Sequence, residues 1–409
     1  MKHMKNLIFL LAGFLIISTS FTVNAYASTP PDVEGAGVVL MDASTGQVLF
    51  NKNMDEKLPP ASTTKVMTAL LTLEKTSLTD KVTIGKVPAC ADGTALGLEE
   101  GEIMTVEDLL NALIIGSCND AAEALAEHIS GSIPEFANLM NKRADELGAV
   151  NTHFVNPSGL YDKDHYTSAK DLSLILRELL KHKEFEDIAQ KPYYKILPNE
   201  KVKTERWVTN RLTILSKNSS TYYPYCIGGK TGYTIDAKHS FISAARKDGV
   251  TLISAIIHTD DKARYFEDGV KLFEYGFNNF KLTKFLGKGD ELTSKNINST
   301  SIPLLSENDF YYLENVDKKN TPKIKFKNTN LDKIDFKKDD VVSTATITLD
   351  GDKIGKINLL SGIDKPEKNI MESGNIDSRV LMASALLISL TLIFVTMIIQ
   401  RTKRTRINP

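Results

Sequence analysis

The chain has 409 residues, of which 42% are hydrophobic and 25% are charged, and its formal net charge at pH 7 is −1. This length accommodates two or three domains, and the apolar content is sufficient for a substantial buried core. A nearly neutral chain without a long run of Lys and Arg lacks the basic surface that nucleic acids require, so nucleic-acid binding is excluded as the main function.

The first residues have the pattern of a secretory signal. Lys2 and Lys5 precede an apolar run from residue 7 to residue 23, and an Ala-Tyr-Ala sequence at residues 25–27 provides a cleavage site between small residues. We therefore predict a signal peptide over residues 1–27, with an uncleaved N-terminal anchor as the alternative.

The C-terminal residues predict a membrane anchor. Residues 380–399 carry no charge and have the length that a helix needs to cross the hydrocarbon core. Basic residues follow at once in the tail, residues 400–409, which the positive-inside rule assigns to the cytoplasm. The body of the protein is therefore expected outside the membrane, joined to the helix by a polar linker, residues 362–379. A buried core helix is the alternative for this segment.

Cys90, Cys118 and Cys226 have no metal-ligand spacing, and a secreted domain of this size does not need a disulfide for stability. We predict three free thiols and leave a Cys118–Cys226 bridge open. No motif in the sequence predicts a metal site or a cofactor.

The predicted elements begin with a hairpin over residues 37–42 and 47–50, followed by two prolines and a helix over residues 61–75. Three more helices are predicted over residues 106–115, 121–129 and 168–181, and another is capped by Ser132 and ends near Gly148. Strands over residues 241–246 and 250–258 flank a Lys-Asp-Gly turn and precede a helix over 263–275. This order predicts a sheet of early and late strands, packed against helices inserted between them.

The pattern changes after residue 280. Helical periodicity fades, and short alternating segments such as residues 341–349 and 353–360 predict a small all-β domain over residues 281–361.

Ser62-Thr63-Thr64-Lys65 is the only S-x-x-K sequence in the chain and lies at the start of a predicted helix. Residues three apart share a helix face, so the Ser62 hydroxyl and the Lys65 amine can meet. A serine hydroxyl becomes a good nucleophile when a neighbouring base takes its proton, and a lysine can be that base when its surroundings lower its pKa. The motif predicts a nucleophile and its base, and an ordinary first helical turn is the alternative.

Ser117-Cys118-Asn119 is a less specific pattern, because S-x-N also occurs at residues 216–218, 294–296, 306–308 and 373–375. Its position between two predicted helices distinguishes it, since a short loop there can direct polar side chains into a cleft. In that place Ser117 could relay a proton and Asn119 could hold a substrate amide. A pair of helix-capping residues is the alternative.

Lys230-Thr231-Gly232 is also unique in the chain. On an edge strand facing the nucleophile, Lys230 would supply positive charge and Thr231 a hydroxyl donor, both suited to a substrate carboxylate. Gly232 would leave room for an extended peptide beside the strand. In isolation these residues would be an ordinary glycine turn.

Taken together and in this order, the three motifs resemble the signature set of class A β-lactamases and penicillin-binding proteins, with S-C-N in place of S-D-N. More narrowly, residues 30–280 resemble the low-molecular-mass penicillin-binding D-alanyl-D-alanine carboxypeptidases. The supporting sequences are residues 61–65, 117–122, 153–160, 165–172 and 229–234.

The resemblance implies an α/β catalytic domain of the serine β-lactamase/transpeptidase type, with an antiparallel sheet and a helical cluster, over residues 28–280. The small all-β domain and the transmembrane helix would follow it. The implied activity is that of a serine-type carboxypeptidase, which removes the terminal D-alanine from peptidoglycan pentapeptide stems and which β-lactam antibiotics acylate.

The resemblance also implies roles for individual residues. Ser62 would attack the carbonyl between the two terminal D-alanines, and Lys65 would take its proton. The backbone N–H groups of Ser62 and Tyr233 would stabilise the oxyanion, and Ser117 would pass a proton to the leaving D-alanine.

Two further residues, Thr231 and Arg211, would hold the terminal carboxylate near Lys230. Arg211 matches an arginine of the family only across a loop of different length. Lys238 and His239 depart from the family, which commonly has a glycine and an aromatic residue there, so substrate preference at this strand is open.

Other functions on the same scaffold are a D,D-endopeptidase and a β-lactamase. The β-lactamase is disfavoured because no good E-x-x-x-N deacylation motif lies between the second and third motifs. A catalytically silent penicillin-binding wall protein is the alternative from a different class, and the three intact motifs argue against it.

Overall fold

The computed structural model describes residues 29–262, 264–366 and 378–404. The predicted signal peptide lies outside the described residues, as do residues 367–377 of the predicted linker and residues 405–409 of the tail. The chain divides into two compact units. The first contains the described residues up to 286 together with 309–325 and 346–356, and the second contains residues 287–308, 326–345 and those from 357 onward. All three motifs belong to the first unit.

The strands are β1 (Gly37–Asp42), β2 (Val48–Lys52), β3 (Lys81–Thr83), β4 (Ile103–Thr105), β5 (Tyr193–Ile196), β6 (Arg206–Thr209), β7 (Cys226–Thr234), β8 (Lys238–Lys247), β9 (Val250–Thr259), β10 (Phe280–Leu286), β11 (Glu291–Ile297), β12 (Thr300–Ser306), β13 (Phe310–Asn315), β14 (Lys323–Phe326), β15 (Val341–Leu349) and β16 (Asp352–Ser361). The α-helices are α1 (Lys65–Lys75), α2 (Lys86–Ala89), α3 (Val106–Asn111), α4 (Asn119–Ser130), α5 (Ile133–Leu147), α6 (Ala169–Leu179), α7 (Lys183–Ala189), α8 (Arg264–Asn279) and α9 (Ser378–Arg404). Short 3₁₀ helices span Ala61–Thr64, Thr213–Leu215 and Leu331–Lys333, and a π-helical turn spans Ala112–Gly116.

The first unit is built on a five-stranded antiparallel sheet with the order β2-β1-β9-β8-β7. The predicted pairing of early and late strands around an inserted helical cluster is therefore confirmed. Strand β7, which carries Lys230, Thr231 and Gly232, lies at one edge of the sheet, as the motif requires.

Both faces of this sheet are buried, since successive residues in the middle of β1, β8 and β9 are buried. Val39 and Met41 of β1 point into a large core with α1, α4 and α6, whereas Val38 and Leu40 point into a second core with α8. Alternation of side chains along a strand places successive residues on opposite faces, so helices cover the sheet on both sides. This layered packing makes the edge strand β7 a rigid support for the site.

The structure refines three predicted elements. The predicted helix over residues 61–75 begins as a 3₁₀ turn and becomes α1 only at Lys65, and the helix over 106–115 changes to a π-helical turn at Ala112. Helix α8 extends to Asn279, beyond the predicted end at residue 275. The β5–β6 hairpin and α7 were not predicted.

The β-rich C-terminal part pairs β10 with β13 and arranges the other strands in the order β11-β12-β16-β15-β14. The predicted strand over residues 341–349 is observed with the same bounds. Helix α9 contains the segment Val380–Arg401, which has a mean hydropathy of 2.5 and is exposed throughout, and is long and apolar enough to cross a membrane.

Candidate active site

Ser62 lies in the 3₁₀ turn that leads into α1. In a 3₁₀ helix, residues i and i+3 are eclipsed, so Ser62 and Lys65 lie on the same side of the chain. The Lys65 Nζ is 3.0 Å from the Ser62 Oγ, and the predicted contact is therefore present. Ala61 just before them has a φ of +50°, a left-handed conformation that costs free energy for a residue with a side chain and is typical of functional sites.

Lys65 is almost completely buried, with 1% of its surface exposed. Its Nζ donates to the Asn119 Oδ1 at 2.7 Å and to the backbone oxygen of Ser158 at 2.6 Å. Burial lowers the pKa of Lys65 well below its ordinary value, and the positive charge of Lys230 lowers that pKa further. The amine therefore loses its proton far more readily than a solvated lysine does.

The orientation of the Asn119 side-chain amide determines which hydrogen bond Lys65 makes with it. The Asn119 Nδ2 donates to the backbone oxygen of Asp92 at 2.6 Å, which leaves the Oδ1 to face Lys65. The Asn119 Oδ1 and the Ser158 carbonyl are both acceptors that cannot donate. A neutral Lys65 amine would give its two N–H groups to them and direct its lone pair at the Ser62 hydroxyl. This is the geometry of a general base beside a nucleophile.

The Ser158 carbonyl is held in place by an asparagine-braced turn. The Asn156 Oδ1 accepts hydrogen bonds from the backbone N–H of Ser158 at 3.2 Å and of Gly159 at 2.7 Å. Gly159 has a φ of +83°, and any Cβ there would collide with the backbone oxygen of Ala61. The contact between the Ser158 carbonyl and Lys65 was not predicted from the sequence, although Asn156-Pro157-Ser158-Gly159 is a recognisable turn sequence.

His165 contacts the 3₁₀ turn that carries Ser62. Its Nδ1 accepts from the Val155 N–H at 3.2 Å, so the neutral ring carries its proton on Nε2 and donates to the Thr64 Oγ1 at 2.8 Å. Burial lowers the pKa of His165 to about 4, which keeps the ring neutral at pH 7. These contacts give His165 a structural role.

Ser117 and Cys118 lie on the turn between the π-helical segment and α4, and both are buried. Ser117 has a φ of +63°, a second left-handed residue with a side chain in this region. Burial raises the pKa of the Cys118 thiol to about 12, with the Asp120 carboxylate as the next cause, so Cys118 is a protonated thiol and not a nucleophile at neutral pH. Cys90, Cys118 and Cys226 are free thiols, as predicted.

The K-T-G strand packs directly against the turn that carries Ser62. A Cβ at Gly232 would lie 2.8 Å from the Ser62 backbone nitrogen and 3.0 Å from the Ala61 Cβ. Gly232 was predicted to leave room for the substrate, and it also permits close approach of β7 to the turn that carries Ser62. A side chain at this position would push the strand away from Ser62.

Lys230 is 2% exposed, and its Nζ donates to the backbone oxygen of Thr231 at 2.9 Å. Burial, together with the Arg211 charge, lowers the pKa of Lys230 to about 7. Arg211 is exposed and also contributes to the lowered pKa of Lys65. Tyr233 is exposed, and its ring stacks on the His239 ring with centroids 4.4 Å apart.

Lys238 adopts a backbone conformation that is costly for a residue with a side chain. Its φ is +55°, a value that favours glycine. Its Nζ lies 3.4 Å from the Asp260 carboxylate.

A loop over residues 92–98 covers Asn119 and is held from two sides. The Asp120 carboxylate accepts the backbone N–H groups of Leu96, Gly97 and Leu98, and the loop's own Thr94 carbonyl accepts the Asn119 N–H at 2.6 Å. Sequence reasoning missed this role of Asp120, because backbone acceptance across 24 residues leaves no local pattern.

A buried ion pair fastens the same loop to the β5–β6 hairpin. Glu102 is fully buried and pairs with Arg206, whose Nη1 also donates to the Gly97 carbonyl at 3.1 Å. The pair thus connects the hairpin to the loop whose carbonyls orient Asn119.

We expect Glu102→Ala to lower the free energy of unfolding by about 3–5 kcal/mol, because removing one partner leaves the other charge poorly compensated. Denaturant titration measures this change. Glu205→Ala, which breaks an exposed pair with Lys195 on the same hairpin, is the matched control and should cost no more than about 1 kcal/mol. Equal losses of unfolding free energy in the two variants would contradict a stabilising role for the buried Glu102–Arg206 pair.

The fold and the site together define a class of protein. A helical cluster on an antiparallel sheet, with S-x-x-K at a buried helix start, S-x-N on a turn and K-T-G on the facing edge strand, is the arrangement of penicillin-binding serine enzymes.

Comparison with protein families identifies the family within that class. The model described as D-alanyl-D-alanine carboxypeptidase matches residues 24–261, and the model described as penicillin-binding protein 5, C-terminal domain, matches residues 280–367. The chain therefore belongs to the D-alanyl-D-alanine carboxypeptidase family.

Individual relatives agree with this assignment. The chain is 36% identical over 253 residues to the D-alanyl-D-alanine carboxypeptidase DacF of Bacillus subtilis, an alignment that covers 61% of the chain and 63% of that protein. It is 32% identical over 304 residues to the carboxypeptidase DacA of Haemophilus influenzae, covering 70% and 74% of the two chains. The crystal structure of penicillin-binding protein 5 from H. influenzae superposes with a TM-score of 0.67 at 30% identity, covering 83% of this chain and all of that one.

These findings confirm the predicted family and fold class. They also confirm the predicted enzyme class, a serine-type D-alanyl-D-alanine carboxypeptidase of the cell wall.

Proposed function

We propose that the chain releases the terminal D-alanine from peptidoglycan pentapeptide stems through an acyl-enzyme on Ser62. The observation that carries this proposal is the buried Lys65 amine, 3.0 Å from the Ser62 Oγ, whose other two contacts are oxygens that can only accept. Such an amine is held ready to take the serine proton.

In the acylation step, the Ser62 oxygen attacks the carbonyl carbon between the two terminal D-alanines while its proton passes to Lys65. The negative oxygen of the tetrahedral intermediate accepts hydrogen bonds from the backbone N–H groups of Ser62 and Tyr233. The close approach of Gly232 to the Ser62 nitrogen supports this pairing of the two N–H groups. The C–N bond then breaks, and the leaving D-alanine nitrogen receives a proton through Ser117.

The terminal carboxylate of the substrate is bound beside β7. Lys230 supplies positive charge, Thr231 a hydroxyl donor and Arg211 a guanidinium, and a carboxylate placed among them would favour the protonated form of Lys230. In the second step, water attacks the ester on Ser62 and releases the shortened stem. β-Lactams form the same ester and leave it slowly.

The protein acts on the outer side of the cytoplasmic membrane in this proposal. A signal over residues 1–27 would direct export, and α9 would anchor the chain with its basic tail inside. The native Cys90 thiol is exposed and lies in the catalytic unit, which makes it a topology reporter. A membrane-impermeant maleimide should label Cys90 in intact spheroplasts, and labelling only after lysis would contradict the proposed orientation.

One assay separates this activity from the alternatives. The detergent-solubilised chain is incubated separately with a pentapeptide stem, with cross-linked stem dimers and with fluorescent penicillin, and released D-alanine, stem monomers and bound fluorescence are measured. Release from the pentapeptide supports the carboxypeptidase. Cleavage of cross-linked dimers alone would indicate an endopeptidase, and penicillin labelling without D-alanine release would indicate a silent binding protein.

A further inference from the structure

The β5–β6 hairpin has an exposed aromatic outer face. Tyr193 and Trp207 are 58% and 55% exposed, and their ring centroids lie 5.5 Å apart. The Lys195 Nζ lies 5.5 Å from the centroid of the Trp207 ring. We call Tyr193, Lys195 and Trp207 the aromatic platform. Large exposed apolar side chains grouped in this way commonly mark a binding surface.

The hairpin that carries the platform is fixed beside the S-C-N turn. Val208, on the inner face of β6, lies about 3 Å from where a Gly116 Cβ would be, and the Arg211 N–H donates to the Ile115 carbonyl at 3.3 Å. Trp207 borders a cavity of about 500 Å³ that Leu96, Cys118 and Arg211 also line. The platform therefore adjoins a cavity whose walls include residues of the candidate active site.

The chemistry of the platform suits a sugar ring. A pyranose has one face of C–H bonds, which packs on aromatic rings, and a rim of oxygens that accept hydrogen bonds from donors such as Lys195. The positive charge of Lys195 is balanced by Glu205 at 3.0 Å, so the surface is not built for a polyanion.

We propose that the aromatic platform binds a sugar of the cell-wall glycan strand to which the stem peptide is attached. This inference rests on the proposed function and deepens it, since it adds the glycan to the recognised substrate. Four extended residues span up to about 14 Å, so a sugar on the platform can leave its stem peptide in the adjoining cavity. A cross-strand Tyr–Trp pair also stabilises a two-stranded hairpin, and the experiment must separate that role from binding.

The test compares one pentapeptide in two forms, free and linked to the N-acetylglucosamine–N-acetylmuramic acid disaccharide. Trp207→Thr and Tyr193→Thr keep good strand-forming residues in the hairpin of the full-length protein in detergent. We expect KM for the disaccharide form to rise roughly tenfold in each variant with kcat unchanged, and we expect the free peptide to be unaffected by Tyr193→Thr. Tyr311→Thr is the matched control, because Tyr311 is another exposed strand aromatic with a lysine, Lys284, over its ring.

A second measurement needs no turnover. Trp207 is the only tryptophan in the chain, so its fluorescence reports on the platform alone. In the Ser62→Ala variant, the disaccharide pentapeptide should shift the emission more than the free pentapeptide does. The inference is overturned if both ligands behave alike, or if the platform variants lose thermal stability without any change in KM. Absence of D-alanine release from both substrates would instead contradict the proposed function, and the titration would still test sugar binding.

Discussion

Ser62→Ala is expected to reduce D-alanine release from a pentapeptide by at least about 10⁴-fold, because the variant has no oxygen to form the acyl-enzyme. Covalent labelling by penicillin should disappear with it. Ser62 is only partly buried, and among the described residues its hydroxyl hydrogen-bonds to the Lys65 amine alone, so the variant should fold normally.

The matched control for this loss is Ser216→Ala, which removes a serine that lies outside the candidate site. We expect that variant to keep full activity and labelling. A covalent penicillin label on the Ser62→Ala protein would show that another residue is the nucleophile.

Lys65→Arg is expected to lower the acylation rate by about 10²–10⁴-fold, the usual contribution of a general base, although it keeps a positive charge. An arginine cannot give up its proton at accessible pH, so it cannot accept one from Ser62. Lys75→Arg, at the exposed end of the same helix, is the matched control and should be neutral.

The pH dependence follows from the same group. Because the pKa of Lys65 is well below its ordinary value, the neutral base becomes available at lower pH than in a solvated lysine. In the native enzyme, the acylation rate measured by stopped-flow with a chromogenic β-lactam should rise with pH through the lowered pKa and then level off. A rate that keeps rising up to the ordinary lysine range near 10.4 would contradict a base with a lowered pKa.

Burying two lysines also carries a stability cost. The pKa of each is lower in the folded chain than in the unfolded chain, so the unfolded state takes up more protons as pH falls. The cost is absent above the pKa of an unfolded lysine, near 10.4. It grows as pH falls toward the pKa in the folded chain, which is about 7 for Lys230. Lys65 and Lys230 are therefore buried at a cost in stability that serves the proposed chemistry.

Local sequence rules were sufficient to predict the contact between Ser62 and Lys65, the proposed nucleophile and base. Residues 62 and 65 are close because helical geometry brings i and i+3 together, whatever the rest of the fold does. The sheet was also predictable in outline, because β8 and β9 flank a strong turn and β1 is apolar on both faces.

Long-range contacts with backbone groups could not be predicted in the same way. The Ser158 carbonyl reaches Lys65 across 93 residues, and a carbonyl oxygen has no residue type to mark it. The Glu102–Arg206 pair joins residues 104 apart, each ordinary in its local sequence. The β5–β6 hairpin has four-residue strands separated by a polar segment, too short for the period-2 pattern to stand out.

The central claim is that the chain forms its acyl-enzyme on Ser62. Intact-mass spectrometry of the full-length protein after a brief exposure to benzylpenicillin, followed by peptide mapping, tests it most directly. We predict one added penicilloyl group, located in the peptide that contains Ser62. An adduct on any other residue, or none at saturating antibiotic, would contradict this account.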